Sequence, residues 1–375
     1  MTECLSEIAG AGLRASPVHY RPPLLSSPQV PWIETGVPAL VLAPMDGVTD
    51  APMRALMSEI GGFTFCVTDF LRVSQSIPGL RAFRDHVPEA AGGCRTPAGL
   101  PVQVQLLGGD PDKLAQAAQV AVQVGAQAVD LNFGCPAPTV NRHDGGAMLL
   151  NHPARIQAIV KAVRAAVPRE VPVSAKLRLG WDNPGAIHVN AECAAEGGAA
   201  WLTIHGRTRS QGYQPPAYWK PIGEVQARLG IPIVANGEIW TVEDLRRCRD
   251  ETGCEHFMLG RGALACPTLA RAAAWELGIH GAVPTRLFGR TPTEWQPLVT
   301  RFIEINGAMA SSSTNTAMRV KQWLRIANHD GTMPWFDALK RCESPQGLLD
   351  QLGALAEARV PADSCSSFAF PVAAT

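Results

Sequence analysis

Three side chains that could do chemistry stand at or near the ends of short apolar segments. Cys135 follows the segment at 128–132, Lys176 lies within the segment at 172–178, and His205 ends another. A cysteine on a short loop between glycine and proline is well placed to react. A lysine among apolar residues and a histidine followed by Gly-Arg are suited to meeting a negative charge. The pattern predicts an active site that handles an anion.

Each of these residues also has an ordinary structural explanation. Cys135 could be a plain buried thiol, the usual state of a free cysteine, and the other nine cysteines are interpreted in that way. Lys176 could extend to solvent or form a salt bridge, and His205 could be a hydrogen-bonded core residue. The positions beside strand ends favour the functional interpretation for all three.

Two glycine-containing segments indicate what the anion is. The sequence NGE occupies 236–238 after one apolar segment, and GRG occupies 260–262 after the next. Glycine lets a ligand approach the backbone N–H groups closely, and the arginine adds a positive charge. In a barrel of alternating strands and helices, these two loops commonly bind phosphate. We therefore expect a phosphate monoester, such as that of FMN.

The elements that position these residues follow from the hydrophobic pattern. Short and nearly continuous apolar segments predict parallel strands that are buried on both faces. Helical patterns lie between most of them, for example at 111–124 after Asp110 and at 241–249 after Thr241. Eight such units predict an α/β fold, a (β/α)8 TIM barrel, with its active site at the carboxyl ends of the strands. The strand segments are 39–43, 63–67, 102–107, 128–132, 172–178, 200–205, 231–236 and 255–260.

The alternation ends near Gly278, and a linker rich in glycine and proline follows. Beyond it, residues 292–357 contain helical patterns without a strand-like segment, which predicts a small all-helical domain at the C-terminus. The predicted organisation is an irregular N-terminal extension at 1–37, a catalytic TIM barrel at 38–280, a helical domain at 290–357 and a tail at 358–375.

Composition excludes several classes of protein. The 33 basic and 33 acidic residues give a formal net charge of zero, so binding to a polyanion by overall charge is excluded, whereas a local basic patch is allowed. The ten cysteines include no C-x-x-C pair, which argues against a disulfide framework or a structural zinc site. The sequence contains neither a long apolar segment nor a signal-peptide pattern, so we expect a cytoplasmic protein.

Seven motifs together resemble the tRNA-dihydrouridine synthases. They are APMDGVTD (43–50), VQLLG (104–108), DLNFGCPAPTVNRHDGGAMLL (130–150), AKLRLGW (175–181), TIHGRT (203–208), ANGEI (235–239) and MLGRGAL (258–264). The resemblance covers about residues 38–355 and implies an FMN-dependent enzyme that reduces uridine to 5,6-dihydrouridine in the D-loop of tRNA. It implies NADPH, or NADH, as the reductant. NFGCP and RVKQWL (319–324) are most similar to the bacterial subgroup that acts on uridine 16.

The resemblance also implies a role for individual residues. The reduced flavin is implied to pass a hydride to C6 of the uracil, while Cys135 protonates C5 from the opposite face. Lys176 is implied to contact the flavin and to stabilise negative charge. Asn132 is implied to hydrogen-bond the uracil edge, with Tyr213 near the nucleotide. The implied cofactor-binding residues are Pro44, Met45, Asp46, Gln105, Lys176, His205, Asn236, Gly237, Glu238, Gly260 and Arg261.

A basic surface for tRNA is predicted in the C-terminal segment. Residues 317–341 carry five basic and two acidic side chains, and Arg319, Lys321 and Arg325 lie close together in sequence. Basic residues on one helix face can contact phosphates, although a merely solvated helix face is the alternative. Arg72, after the second strand, corresponds to a position near the substrate in the subgroup.

Other functions remain open on the sequence alone. The enzyme could modify position 17, 20 or 20a of tRNA. It could instead be an FMN barrel that reduces a free pyrimidine or an enoate, which the helical domain disfavours because a small substrate needs no such platform. A non-catalytic tRNA-binding protein is disfavoured by the presence of Cys135 and Lys176. We expect tRNA as the partner, neither a membrane nor a metal, and a monomer.

Overall fold

A closed parallel barrel forms the centre of the molecule. The computed structural model describes residues 32–142, 144–279, 288–309 and 313–358. Within these ranges one parallel sheet closes on itself, because β2 pairs with β4 as well as with β1. The fold confirms the predicted TIM barrel. The strands are β1 (Ala39–Leu42), β2 (Phe65–Val67), β3 (Leu71–Arg72), β4 (Val102–Leu107), β5 (Val129–Phe133), β6 (Val173–Arg178), β7 (Leu202–His205), β8 (Ile233–Asn236) and β9 (His256–Leu259).

β2 and β3 together make the second strand of an eight-stranded barrel. Both pair with β4, with Val67 opposite Gln103 and Leu71 opposite Leu106. Three residues separate these two positions on the β2–β3 side and two on β4, which is the geometry of a β-bulge. The bulge occupies 68–70, at the mouth of the barrel. Bulges of this kind redirect side chains next to functional sites.

Helices follow most of the strands and cover the outside of the barrel. Two predicted N-caps are present: the Asp110 carboxylate accepts from the N–H of Asp112 and Lys113, and Thr241 forms a capping box with Asp244. Short 3-10 turns occupy Pro88–Gly92 and Gly146–Asn151. The helices are α1 (Ala51–Ile60), α2 (Leu80–His86), α3 (Pro111–Gln123), α4 (Pro138–Asn141), α5 (Pro153–Ala166), α6 (Ala186–Glu196), α7 (Lys220–Gln226), α8 (Val242–Thr252), α9 (Arg261–Ala265), α10 (Leu269–Glu276), α11 (Pro292–Ala308), α12 (Ser313–Ala327), α13 (Phe336–Leu339) and α14 (Pro345–Glu357).

The C-terminal helices pack against the barrel through aromatic residues. The rings of Trp295 and Trp323 meet edge to face, 5.2 Å apart, and the indole N–H of Trp323 donates to the carbonyl of Leu264 in α9 at 3.0 Å. One buried apolar cluster therefore runs from the barrel into these helices. The predicted domain boundary lies at 280–290, of which 280–287 are outside the described residues, and the boundary stays a prediction. Among the described helices, none is long and apolar enough to cross a membrane.

The amino-terminal end of the barrel is covered by residues 32–37. Trp32 packs edge-on against Phe65 with 5.1 Å between ring centroids, and Phe65 contacts Trp201 in the same way at 6.3 Å. Residues 32–37 form turns and an isolated bridge, and Trp32 and Ile33 pack against the barrel. The predicted extension at 1–37 stays a prediction. The rest of that extension, 1–31, and the tail from 359 lie outside the described residues.

Candidate active site

A cavity opens at the carboxyl ends of the strands. It contains about 990 Å³ of empty space, part of which is open solvent. The structure brings together all the residues predicted as catalytic or cofactor-binding. Asn132 and Tyr213, predicted as substrate contacts, line the same cavity. The predicted residues that line the cavity are Pro44, Met45, Asp46, Gln105, Asn132, Cys135, Lys176, His205, Tyr213, Asn236, Gly237, Glu238, Gly260 and Arg261.

Cys135 lies on a loop that hydrogen bonds and a close glycine hold in place. The Oδ1 atom of Asn132 accepts from the N–H groups of Gly134 and Cys135, both at 2.9 Å. Gly146 has a φ of 62°, and a Cβ there would come within 2.8 Å of the Cys135 carbonyl oxygen, so only glycine fits. Burial raises the pKa of the half-buried Cys135 thiol. The thiol is therefore protonated near neutral pH and can donate a proton.

Lys176 brings a positive charge into the cavity. Its Nζ atom donates to Oδ1 of Asn236 at 3.1 Å, and the Nδ2 atom of Asn236 donates to the carbonyl of Met258 at 2.8 Å. Burial lowers the pKa of Lys176 to about 8; Arg178 contributes to this shift and Asp130 opposes it. The hydrogen-bond acceptor of Lys176 is a neutral amide and not a carboxylate, so the ammonium group can attract an anionic ligand into the cavity.

His205 is a neutral member of this cation-rich wall. Burial, reinforced by neighbouring cations such as Arg178 and Lys176, holds the pKa of His205 well below its usual value of 6.5. The Nη1 atom of Arg207 lies 3.1 Å from Nε2 of His205. Because a guanidinium group only donates, Nε2 is the acceptor and Nδ1 carries the proton. His205 therefore contributes an N–H donor and no charge.

The loop after β8 requires unusual backbone conformations. Gly237 has a φ of 113°, and a Cβ there would lie 2.8 Å from the His205 ring. Glu238 also has a positive φ, 59°. Its carboxylate pairs with the buried Arg207 and accepts from the indole N–H of Trp240 at 2.9 Å. Glu238 therefore neutralises one arginine and fixes the loop that faces the cavity.

Arg261, after β9, lies between two aromatic rings. Its guanidinium carbon is 5.1 Å from the centre of the Tyr213 ring and 5.2 Å from that of Trp240. Burial lowers the pKa of Arg261 and Tyr213 opposes the shift. Trp240 in turn stacks on His329, with 4.0 Å between ring centroids. The aromatic contacts orient the guanidinium group without neutralising it, so it can bind a phosphate.

The sequence missed part of this site. Arg178 lies two residues after Lys176 on β6 and so on the same face of the strand, which could have identified it. Its Nε atom donates to the carbonyl of Gly134 at 2.8 Å and supports the Cys135 loop. The bulge residues could not be identified from a local pattern. The additional residues at the cavity with charged or aromatic side chains are Asp69, Phe70, Arg178, Arg207 and Trp240.

Arg319 is engaged inside the protein. Its side chain is 11% exposed and pairs with the Asp50 carboxylate at 2.8 Å, and it donates to the carbonyls of Gly47 and Val48. Asp50 is also the N-cap of α1. The guanidinium group therefore joins α12 to the loop after β1, and a contact with tRNA stays a prediction that this geometry does not favour.

Two other predicted tRNA residues lie beside an open groove on the C-terminal helices. The Nζ atom of Lys321 donates to the carbonyl of Cys342 at 2.9 Å, and Arg325 is exposed. Lys340 pairs with Asp337 at 2.6 Å. We call this surface the basic groove, and it is lined by Met318, Lys321, Gln322, Arg325, Phe336 and Lys340.

Arg72 lies nearer the cavity. It ends β3, and its Nη2 atom donates to the carbonyl of Thr139 at 3.0 Å. Thr139 belongs to α4, which begins three residues after Cys135. Arg72 therefore supports the loop that carries the thiol. Its predicted contact with tRNA is not tested by this geometry.

The fold and the site define a TIM-barrel enzyme whose cavity is lined by Gly237 after β8, Arg261 after β9 and a protonated thiol after β5. The family model described as dihydrouridine synthase matches residues 41–358. The chain belongs to the dihydrouridine synthase family. It is a flavin-dependent oxidoreductase that reduces uridine in tRNA to dihydrouridine.

Curated relatives are similar over most of their length. A protein from Pseudomonas putida is 44% identical over 289 residues, covering 76% of this chain and 87% of that protein. One from Shewanella oneidensis is 42% identical over 291 residues, which cover 77% of this chain and 88% of that protein. One from Ralstonia nicotianae is 48% identical over 231 residues, which cover 62% of this chain and 71% of that protein. Each of the three is named tRNA-dihydrouridine(16) synthase.

Proposed function

We propose that this chain reduces uridine 16 of tRNA to 5,6-dihydrouridine, with FMN bound in the barrel mouth and NADPH as the reductant. One observation carries the proposal: β5, which precedes Cys135, and β9, which precedes Arg261, are four strands apart in either direction around the barrel. The thiol and the anion site therefore belong to opposite walls. A flat base between them would have one face toward each wall. The name that the relatives share supports position 16.

The residues present fit an FMN molecule. Arg261 has no acidic neighbour that contributes to its pKa, and Lys176 has an amide as its hydrogen-bond acceptor, so both are available to an anion. We assign the phosphate to Arg261 with the backbone at Gly237 and Gly260. When bound, FMN supplies the hydride chemistry of the reaction. The other residues assigned to the flavin are Pro44, Met45, Asp46, Gln105, Lys176, His205, Asn236 and Glu238.

Cys135 acts as the general acid. Its S–H bond breaks as a C–H bond forms at C5 of the uracil, and this transfer requires a thiol that is protonated beforehand. The raised pKa of Cys135 meets that requirement. Lys176 keeps a positive charge where negative charge develops during the reduction, which stabilises the transition state. The two residues thus have separate tasks, one donating a proton and one holding charge.

Asn132 and Tyr213 orient the base. The Nδ2 group of Asn132 gives one hydrogen to Gln105 at 2.8 Å, which leaves its second hydrogen for a carbonyl oxygen of the uracil. Tyr213 is 56% exposed at the rim, where Arg178 lies 5.2 Å from its ring centre. This ring offers a stacking surface for a nucleotide that has left the RNA stack.

The rest of the tRNA would contact the basic groove. Lys321 and Arg325 lie one helical turn apart on α12, so they face the same side and can contact neighbouring phosphates. Arg72 would contact the substrate beside Cys135. These contacts supply the local positive charge that a chain with a net charge of zero needs to bind RNA.

An assay with purified protein tests the proposal. The protein, loaded with FMN, is incubated with NADPH and an unmodified tRNA transcript, and dihydrouridine is mapped by position. We expect dihydrouridine at position 16 and none in a matched transcript that carries cytidine there. Dihydrouridine at 17, 20 or 20a would change the position that we assign, and no dihydrouridine in either transcript would refute the proposed function.

A further inference from the structure

A directed chain of hydrogen bonds runs from a buried carboxylate to the Cys135 loop. Oδ2 of Asp130 accepts from Nε2 of Gln105 at 2.6 Å, and Oε1 of Gln105 accepts from Nδ2 of Asn132 at 2.8 Å. Oδ1 of Asn132 then accepts from the N–H groups of Gly134 and Cys135, both at 2.9 Å. Three side chains thus form one continuous path to the backbone of the loop that carries the thiol.

Both ends of this path impose the same direction on it. The N–H groups of Gly134 and Cys135 can only donate, so the amide oxygen of Asn132 must face them. A carboxylate can only accept, so the amide nitrogen of Gln105 must face Asp130. A reversed path would place donors against each other at the loop and set Oδ2 of the buried carboxylate against an amide oxygen, which is costly. The loop N–H groups at one end and the carboxylate at the other therefore fix the orientations of the side-chain amides of Asn132 and Gln105.

The direction does not depend on the charge of Asp130. Oδ1 accepts from the hydroxyl of Ser174 at 2.5 Å, and a hydroxyl can accept as well as donate. If Asp130 were protonated on Oδ1, that O–H group would donate a hydrogen bond to the hydroxyl of Ser174, and Oδ2 would still accept from Gln105. What the path requires at position 130 is an acceptor that faces Gln105, because a neutral group with that acceptor would serve as well.

Asp130 itself does not contact the reactants. It is 2% exposed, and it precedes Asn132 by two residues on β5, so both side chains point into the barrel, one layer apart. Asn132 lines the cavity, whereas Asp130 is not among the lining residues. The effect of Asp130 on Cys135 therefore passes through Gln105 and Asn132, whereas its charge acts separately on Lys176, whose pKa it raises.

We propose that Asp130 is a positioning residue for Cys135, acting through the oriented amides of Gln105 and Asn132. The proposal rests on the proposed function only in giving Cys135 its role as proton donor. It predicts that the acceptor at position 130 matters and that the negative charge does not. A carboxylate needed only for its charge would give the same loss in every variant without that charge, whether or not the variant keeps an acceptor.

Three variants separate these possibilities. Asp130→Leu keeps the shape of the side chain and removes the acceptor. Asp130→Asn keeps the shape and an acceptor toward Gln105, with its nitrogen facing Ser174, and removes the charge. Ser174→Ala is the matched control, since it removes the other hydrogen bond of the same carboxylate and leaves the path to Cys135 intact.

Two readouts are measured on each FMN-loaded variant. The first is kcat and KM for uridine reduction in tRNA. The second is the rate at which iodoacetamide labels Cys135 without tRNA, followed by peptide mass spectrometry. For Asp130→Leu we expect kcat to fall at least about tenfold at a similar KM and labelling to rise at least about fivefold as the loop loosens. We expect Asp130→Asn and Ser174→Ala to stay within about threefold of wild type in both readouts.

An equal loss in Asp130→Asn and Asp130→Leu would overturn the proposal, as would wild-type kinetics and labelling in a folded Asp130→Leu protein. If Asp130→Leu does not fold, the labelling of Cys135 in Asp130→Asn decides: a rate near wild type supports the directed path, and a rise of about fivefold refutes it. If the wild type forms no dihydrouridine, the proposed function fails. The labelling rates then still decide whether Asp130 positions the thiol.

Discussion

The barrel mouth and the C-terminal helices differ in how many of their predicted site residues the structure brings together. At the mouth, every residue predicted as catalytic or cofactor-binding lines one cavity. On α12, three basic residues that are close in sequence lie in different environments: Arg319 pairs with Asp50, Lys321 donates to a backbone carbonyl and Arg325 is exposed. Parallel strands must bring their carboxyl ends together, whereas a helix fixes only the face of a residue, and the neighbours of that face decide its role.

The mouth should therefore show the largest losses on mutation. Replacing Cys135 with Ala removes the proton donor, and uridine reduction should fall by about 10²- to 10⁴-fold, the usual contribution of a general acid. FMN should stay bound and be reduced by NADPH, because the thiol is on the opposite wall from the assigned phosphate site. Single-turnover assays of the two half-reactions measure this directly. Wild-type rates of dihydrouridine formation in Cys135→Ala would remove the proton-donor role.

A second test of the mouth uses pH. The pKa of Lys176 is about 8 in the unliganded protein because burial disfavours its charge, and a bound anion favours the charged form and raises that pKa. Binding therefore takes up a proton, and FMN affinity should fall as the pH rises above about 8. Titrations by flavin fluorescence from pH 7 to 9.5 should show this decline.

Lys176→Met is the matched variant for this titration. It should bind FMN about tenfold more weakly than wild type at pH 7, the usual range for a charge-assisted contact, and its affinity should not decline in the same pH interval. The same pH dependence in wild type and Lys176→Met would assign the titration to another group.

On the helical side, Arg319 should matter for stability. Its ion pair with Asp50 is 11% exposed on the arginine side, so Arg319→Met should lower the free energy of unfolding by about 1–3 kcal/mol. Arg325→Met, at an exposed position of the same helix, should change it by less than about 0.5 kcal/mol. Urea unfolding of the two variants makes the comparison, and equal effects would mean that the Arg319 pair contributes nothing particular.

The smallest expected effect concerns the basic groove. Lys321→Ala should weaken tRNA binding about threefold and reduce the salt dependence of the binding constant by about one ion. Lys161→Ala, an exposed lysine on α5 outside the barrel mouth, is the control and should leave both unchanged. An unchanged affinity and salt slope for Lys321→Ala would limit the tRNA contacts to the mouth.

The same contrast explains what could be predicted from the sequence. The strands were located to within about three residues by continuous apolar segments, and the ends of these strands carry Cys135, Lys176 and Arg261. Asp69 was missed because a bulge exists only relative to the partner strand β4. Contacts between distant segments leave no local signal, and the pairing of Arg319 with Asp50 is of this kind.

Nucleoside analysis of tRNA from a strain that lacks this gene, mapped by position, tests the central claim most directly. We predict that dihydrouridine is lost at position 16 alone, is restored by the wild-type gene, and is not restored by a Cys135→Ala gene whose product is folded and binds FMN. Persistence of dihydrouridine at position 16 in the deletion strain, or its restoration by Cys135→Ala, would contradict the account.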